Sequence, residues 1–182
     1  MRYTKSALAA LTCALVIVPV SIASAAEESS SDRLSAESSV STAPSEEGNP
    51  NSQRARAAEV CTDAEQFGET GYITRNGETI GSVKQFYSAE CDENYSYLWV
   101  WESFRDQVSA YDVHISLYSY MTDAHAVEQS WIHTHEQEFW SEGIAWRGEY
   151  SSAVGAVRAV GDPLPSEAYS EQVCVDDELA EG

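Results

Sequence analysis

Two of the four histidines in this 182-residue chain stand one residue apart, in Ile132-His133-Thr134-His135-Glu136. On an extended strand alternate side chains point the same way, so His133 and His135 could offer two imidazoles to one divalent metal, with Glu136 as a carboxylate ligand. A metal held there would activate water for hydrolysis. On a helix the same two side chains point to nearly opposite sides and cannot chelate together. His125 and Glu138 lie close in sequence, but no second histidine motif completes a ligand set. The chemistry of this stretch therefore depends on the conformation of residues 121–149.

A second constellation is aromatic. In Tyr95-Ser-Tyr-Leu-Trp-Val-Trp101, strand alternation puts Tyr95, Tyr97, Trp99 and Trp101 on one face and Ser96, Leu98 and Val100 on the other. An exposed face of this kind stacks on the apolar faces of sugar rings, with Tyr97, Trp99 and Trp101 as the ligand-binding residues and Trp131, Trp140 and Trp146 as further candidates. The competing expectation is that these aromatics form the core, because a small domain with only four Phe and two Met needs its Trp and Tyr inside.

Other chemistries find no support in the residues. There is no Gly-x-Ser-x-Gly elbow, no Gly-rich phosphate loop and no Asp-x-Asp-x-Asp-Gly calcium loop. Carboxylates are so abundant that a pair at glycosidase spacing would arise by chance. No residue is therefore assigned a catalytic role. A non-enzymatic module is the leading expectation, with a hydrolase built on the His133/His135 region as its rival.

The elements that must position these residues read mainly as strands. Residues 71–75 and 78–88 flank Asn76-Gly77, the dipeptide best suited to a two-residue hairpin turn. Residues 95–101 and 111–118 alternate, the latter with Tyr111, Val113, Ile115 and Leu117 on one face and Asp112, His114 and Ser116 on the other. Residues 143–150, 152–160 and 168–175 also read as strands. Between them, Ala124, Val127, Trp131 and Phe139 fall near a helical stripe, with Thr122 or Asp123 as N-cap and Gly143 as a stop. That predicts a short helix or irregular structure over 122–143. The expected fold is mainly β, a small antiparallel sandwich or barrel with one disulfide.

The N-terminus carries Arg2 and Lys5, an apolar run from Ser6 to Val20 and a small-x-small site at Ala23-Ser-Ala25, the pattern of a secretory signal peptide over 1–25. The run is shorter than a membrane span, and no other segment approaches one. Residues 26–58, rich in Ser, Glu, Pro and Asn and free of aromatics, predict a disordered linker. The folded domain is expected over 59–182, in a secreted, extracellular protein. Export exposes thiols to oxidation, and with Cys13 removed an odd set remains: Cys61, Cys91 and Cys174. Cys61 and Cys91 each flank the hairpin, so their pairing would tie its two ends together. None of the three lies in a Cys-x-x-Cys pair.

Cys61-Thr-Asp-Ala64, then Gly81-Ser-Val-Lys-Gln-Phe-Tyr-Ser88, then Cys91, Asn94 and Tyr95 resemble a group of small secreted proteins of Gram-positive bacteria with no assigned function. Tyr95 stands where that family usually carries Trp, and Gln85 where it usually carries an apolar residue. The resemblance runs from Cys61 to Trp101 and makes 121–149 look like an insertion. It implies an extracellular β domain bridged from Cys61 to Cys91, and it implies no activity.

The formal charge of −20, from 30 Asp plus Glu against 10 Lys plus Arg, argues against nucleic acid, whose binders need basic patches. Of those acids only Glu27, Glu28, Asp32, Glu37, Glu46 and Glu47 precede Glu59, so the acidity belongs to the folded part. It fits a solvated repulsive surface, adaptation to high salt, or a cationic or cell-wall partner.

Overall fold

The computed structural model describes residues 40–176. The expected leader over 1–25 and the first part of the expected linker, 26–39, lie outside the described residues, as do 177–182.

Nine strands and two short helices run along this part of the chain. Strands β1 (Glu65–Arg75), β2 (Glu78–Ser88) and β3 (Glu93–Val100) form an antiparallel meander, and helix α2 (Glu102–Arg105) carries the chain across to β4 (Tyr111–Ser119). Strand β5 (Ala124–Thr134) returns beside β4, and the chain then crosses back so that β6 (Glu138–Trp140) pairs with β3. Strands β7 (Tyr150–Ala159), β8 (Ser166–Tyr169) and β9 (Val173–Cys174) complete the second sheet. The first sheet has the order β1-β2-β3-β6; the second has β5-β4-β7-β8, with β9 also on β7.

The two sheets face one another as a sandwich. Ile73, Val83, Leu98 and Val100 of the first meet Tyr111, Val113, Ile115, Leu117 and Val157 of the second in one buried cluster. At about 1.5–3 kcal/mol for each fully buried large aliphatic side chain, this apolar layer is the main favourable term. The Asn76-Gly77 turn joins β1 to β2 as expected: both residues have positive φ, and Arg75 pairs with Glu78 across it.

The stretch 122–143 is not helical. It supplies β5 and β6, so it belongs to both sheets and cannot be treated as an appended insertion. The helix-like spacing has a physical cause in β5, which has two irregularities. Val127 and His133 have positive φ, and the β4–β5 register shifts beside each of them. The bulge at Val127 adds a residue and makes the step from Ala124 to Val127 three, while Val127 and Trp131 are two ordinary strand steps apart, so the series mimics a helical stripe. Residues 143–149 form no strand either; Ile144 makes a single bridge to Asn94.

The linker expectation fails over its C-terminal part. Ser52 caps helix α1 (Gln53–Ala57) by accepting the Ala55 N–H at 3.0 Å, and Ala55 is fully buried. Small side chains that look like spacer in composition are small here because the segment lies flat on the sandwich.

Candidate functional site

The outer face of the second sheet carries the side chains of β4, β5, β7 and β8 that point away from the core. Its floor is made of small residues on β7, namely Ser152, Val154 and Ala156, together with Ser116 of β4. Over this floor Tyr118 meets Tyr120 and Tyr169 edge to face, with ring centroids 4.9 and 6.0 Å away, and His125 at 5.0 Å. Strand register builds the group: Tyr118 stands opposite His125 on one side and Ser152 on the other, and Val154 stands opposite Tyr169. Tyr120 and Tyr169 keep 43% and 41% of their surface exposed, which core tyrosines do not.

Two of the phenols of this group have hydrogen-bond partners, and an acid stands near the third. Tyr118 donates to the Asp123 carboxylate, the Tyr120 and Ser152 hydroxyls share a bond of 3.2 Å in which either can donate, and the Glu167 charge stands near the Tyr169 phenol. The hydrogen bond to Asp123 holds the Tyr118 phenol above its ordinary value, whereas partial burial and the Glu167 charge do so for Tyr169. His125 turns Nδ1 to the Ser116 hydroxyl at 2.8 Å. Along the same face lies a groove of about 260 Å³, lined by His114, Ile132, Ala156, Pro165 and Glu167 among others.

The structure gives His133, His135 and Glu136 separate partners. His133 sits on a bulge, its backbone N–H donating to Asp112 at 2.9 Å and its Nδ1 4.0 Å from the same carboxylate. The ring of His135 packs near Tyr111, 6.0 Å between centroids. The Glu136 carboxylate pairs with Arg54 of α1, and its carbonyl accepts the Tyr111 hydroxyl. Burial pushes that phenol up to about 12. The bulge removes the simple alternation on which chelation by His133 and His135 depended. Among the described residues, no group of three or more His, Cys, Asp and Glu side chains is gathered to hold a metal.

The aromatic face of β3 is covered by the chain itself. Tyr95 and Tyr97 are fully buried and pack with Phe86, Trp140, Ala55, Val60 and Ala64, so the segment that runs into β1 lies on this face. Tyr97 donates to the Ser45 carbonyl, and burial drives its phenol far above the ordinary range. Trp99 is half-buried beside the same cluster, and Trp101 stands edge-on to Tyr72 at 6.3 Å. Lys84 of β2, also buried, feels the acids of the same segment: burial lowers its ammonium, and the charges of Glu47 and Glu46 oppose that shift. Tyr97 is thus unavailable as a stacking residue, which leaves Trp99 and Trp101 as half-buried remnants of the expected platform.

The residues that carry the family resemblance form a structural knot around the disulfide. Cys61 and Cys91 are bonded. Asp63 accepts the Ser88 hydroxyl at 2.6 Å and the Glu90 N–H at 2.9 Å, while Ser88 Oγ accepts the Cys91 N–H at 3.0 Å. Partial burial works against the Asp63 charge, yet these hydrogen bonds hold its carboxyl below the ordinary value. Tyr95 accepts the Cys61 N–H at 3.3 Å and donates to Glu93 at 2.8 Å. Gln85 faces the sandwich interior and donates to Asn94 at 3.0 Å and to Ser151 of the other sheet at 2.9 Å. Cys174 is half-buried and carries no disulfide among the described residues.

Beside α1 a polar cleft of about 360 Å³ is lined by Arg54, Glu59, Gln129, Trp131, Glu138 and Glu142 among others. Glu138 lies at its back, 4% exposed, and accepts the Trp140 indole N–H at 3.1 Å. Burial raises its carboxyl above the ordinary value, against the hydrogen bonds from Trp140 and Ser52 and the charge of Arg54.

Fold and face together define a disulfide-tied antiparallel β-sandwich with an aromatic, acid-edged outer surface. No protein-family model, no curated protein and no solved structure matches the chain. The tyrosine group was not singled out in the sequence. The polar half of the 111–118 alternation pointed to this face, but Tyr169 joins it only through the β7–β8 pairing.

Proposed function

We propose that this chain is a secreted, non-enzymatic recognition module acting outside the cell or at its envelope, with the outer face of the second sheet as its binding surface. The observation that carries the reading is the group of half-buried Tyr118 with exposed Tyr120 and Tyr169 over a floor of small residues. Rigid tyrosines with few torsions provide contact area at low entropic cost, and strand-borne side chains are held in place before a ligand arrives. The leader pattern over 1–25 and the Cys61–Cys91 bond support an oxidising, extracellular setting. The Gram-positive affiliation rests on the motif around that bond.

Hydrogen–deuterium exchange of the exported protein, with and without the envelope fraction of the producing cell, tests this reading. Protection is expected across 114–125 and 166–170. Protection confined to the cleft beside α1 would move the binding surface there, and consumption of envelope material by the protein would replace the module with an enzyme.

A further inference from the structure

A ligand for the tyrosine face must suit a surface rich in acceptors and poor in donors. The phenol hydrogen of Tyr118 already goes to Asp123, the Tyr120 hydroxyl is bonded to Ser152, and the Glu167 charge stands near the Tyr169 phenol. What this face mainly offers a ligand is the spare lone pairs of two exposed carboxylates and the faces and edges of three phenol rings, with the Tyr169 hydroxyl and the second nitrogen of His125 beside them. The strong cation of this face, Arg158, is held by Asp112.

A sugar hydroxyl is both donor and acceptor and would find few donors here to match the two carboxylates. An anion would meet carboxylates inside a chain of net charge −20. Lysine and arginine heads carry donors and no acceptor, and both are attracted to aromatic faces. The groove beside the tyrosines shares Glu167 with them and adds the 65%-exposed Ile132 and Pro165, so an extended chain can continue along the face past its cationic side chain.

We propose that Tyr118, Tyr120 and Tyr169, with Asp123 and Glu167, capture an arginine or lysine side chain of a basic polypeptide segment laid along the outer face of the second sheet. This inference rests on the recognition-module reading and names the chemistry of its partner.

Fluorescence anisotropy with a labelled hexa-arginine peptide and the intact, oxidised protein tests it, with neutral chitohexaose as competitor. Tyr169→Ala and Tyr120→Ala leave the net charge unchanged and should each weaken binding about fivefold, the size of a partly desolvated cation–π contact. Asp123→Asn should weaken it more than Glu102→Gln, a charge-matched change at an exposed residue of α2. Circular dichroism melts of each variant check folding, and two such exposed positions give independent readings should one fail. Three results overturn the proposal: no binding of hexa-arginine, binding that tyrosine removal leaves intact while every lost carboxylate weakens it equally, or displacement by chitohexaose. In each case protection of this face by envelope material would still stand or fall on its own measurement.

Discussion

The hydroxyl of Tyr97, in the middle of β3, donates to the carbonyl of Ser45. A side chain that alternation offered to a ligand therefore holds a segment that composition assigned to a linker. Burial of Tyr95 and Tyr97 agrees with the core expectation for this face, and it shares one cause with the ordering of that segment: residues 45–64 cover the aromatics.

This cover should behave as part of the cooperative fold. Gly48 has a φ of +91°, and a Cβ there would lie 2.3 Å from Phe86 Cζ. Gly48→Ala is expected to cost about 1–3 kcal/mol through backbone strain and overpacking. Tyr97→Phe, which removes the bond to Ser45, should cost about 1 kcal/mol. Urea denaturation measures both. Unchanged midpoints would mean that the segment is not anchored on the sheet.

Glu138 predicts a pH dependence of a definite sign. Its carboxyl is raised in the fold by burial, so the native state holds its proton more tightly than the unfolded chain does. The associated stability is fully present below the unfolded carboxylate range and is lost as pH rises through the folded value. Glu138→Gln keeps an acceptor for Trp140 without the charge. It should match or exceed the parent in stability at neutral pH and show a flatter profile above about pH 4. Thermal melts between pH 4 and 8 read the difference; a variant that loses stability increasingly as pH rises would reverse the assignment.

The Cys61–Cys91 bond closes a loop with a sequence separation of 30. Chain entropy places its contribution at about 3–4 kcal/mol. The double variant Cys61→Ser/Cys91→Ser should unfold at markedly lower urea, and the parent under reductant should move to the same midpoint. Because Asp63 and Ser88 hold the neighbouring backbone, Ser88→Ala should lower stability with the bond intact.

Gln85 and Asn94 form a buried polar pair between the sheets, each with one buried atom left without a partner, Oε1 and Nδ2 respectively. Gln85→Leu strips the Asn94 carbonyl of its partner, whereas after Asn94→Leu the Gln85 amide keeps only Ser151; each single change should cost about 1–3 kcal/mol. The double change removes both at once, so its cost should fall below the sum of the singles. A double-mutant cycle in denaturant measures this coupling, and simple additivity would mean the two amides act independently.

The residues themselves determined a great deal of the fold. Asn76-Gly77 fixed a hairpin because such residues readily accept two positive φ angles, and the alternations around Leu98 and Ile115 marked two strands, each with one face in the sandwich core. The cysteine positions fixed the bridge, since Cys61 and Cys91 sit at the two ends of that hairpin. These are local signals, in which neighbouring residues carry the whole message.

Only the tertiary structure decided what each face meets. Val127 and His133 sit on bulges that disguise β5 as a helical pattern and separate the two histidines expected to work together. Tyr97 faces its own N-terminal segment, whereas Tyr118 faces solvent beside Tyr169, more than fifty residues further along the chain. Periodicity gives the side of a strand on which a residue stands. Whether that side is core, covered surface or binding face depends on which distant segment packs there, and no local pattern encodes that partner.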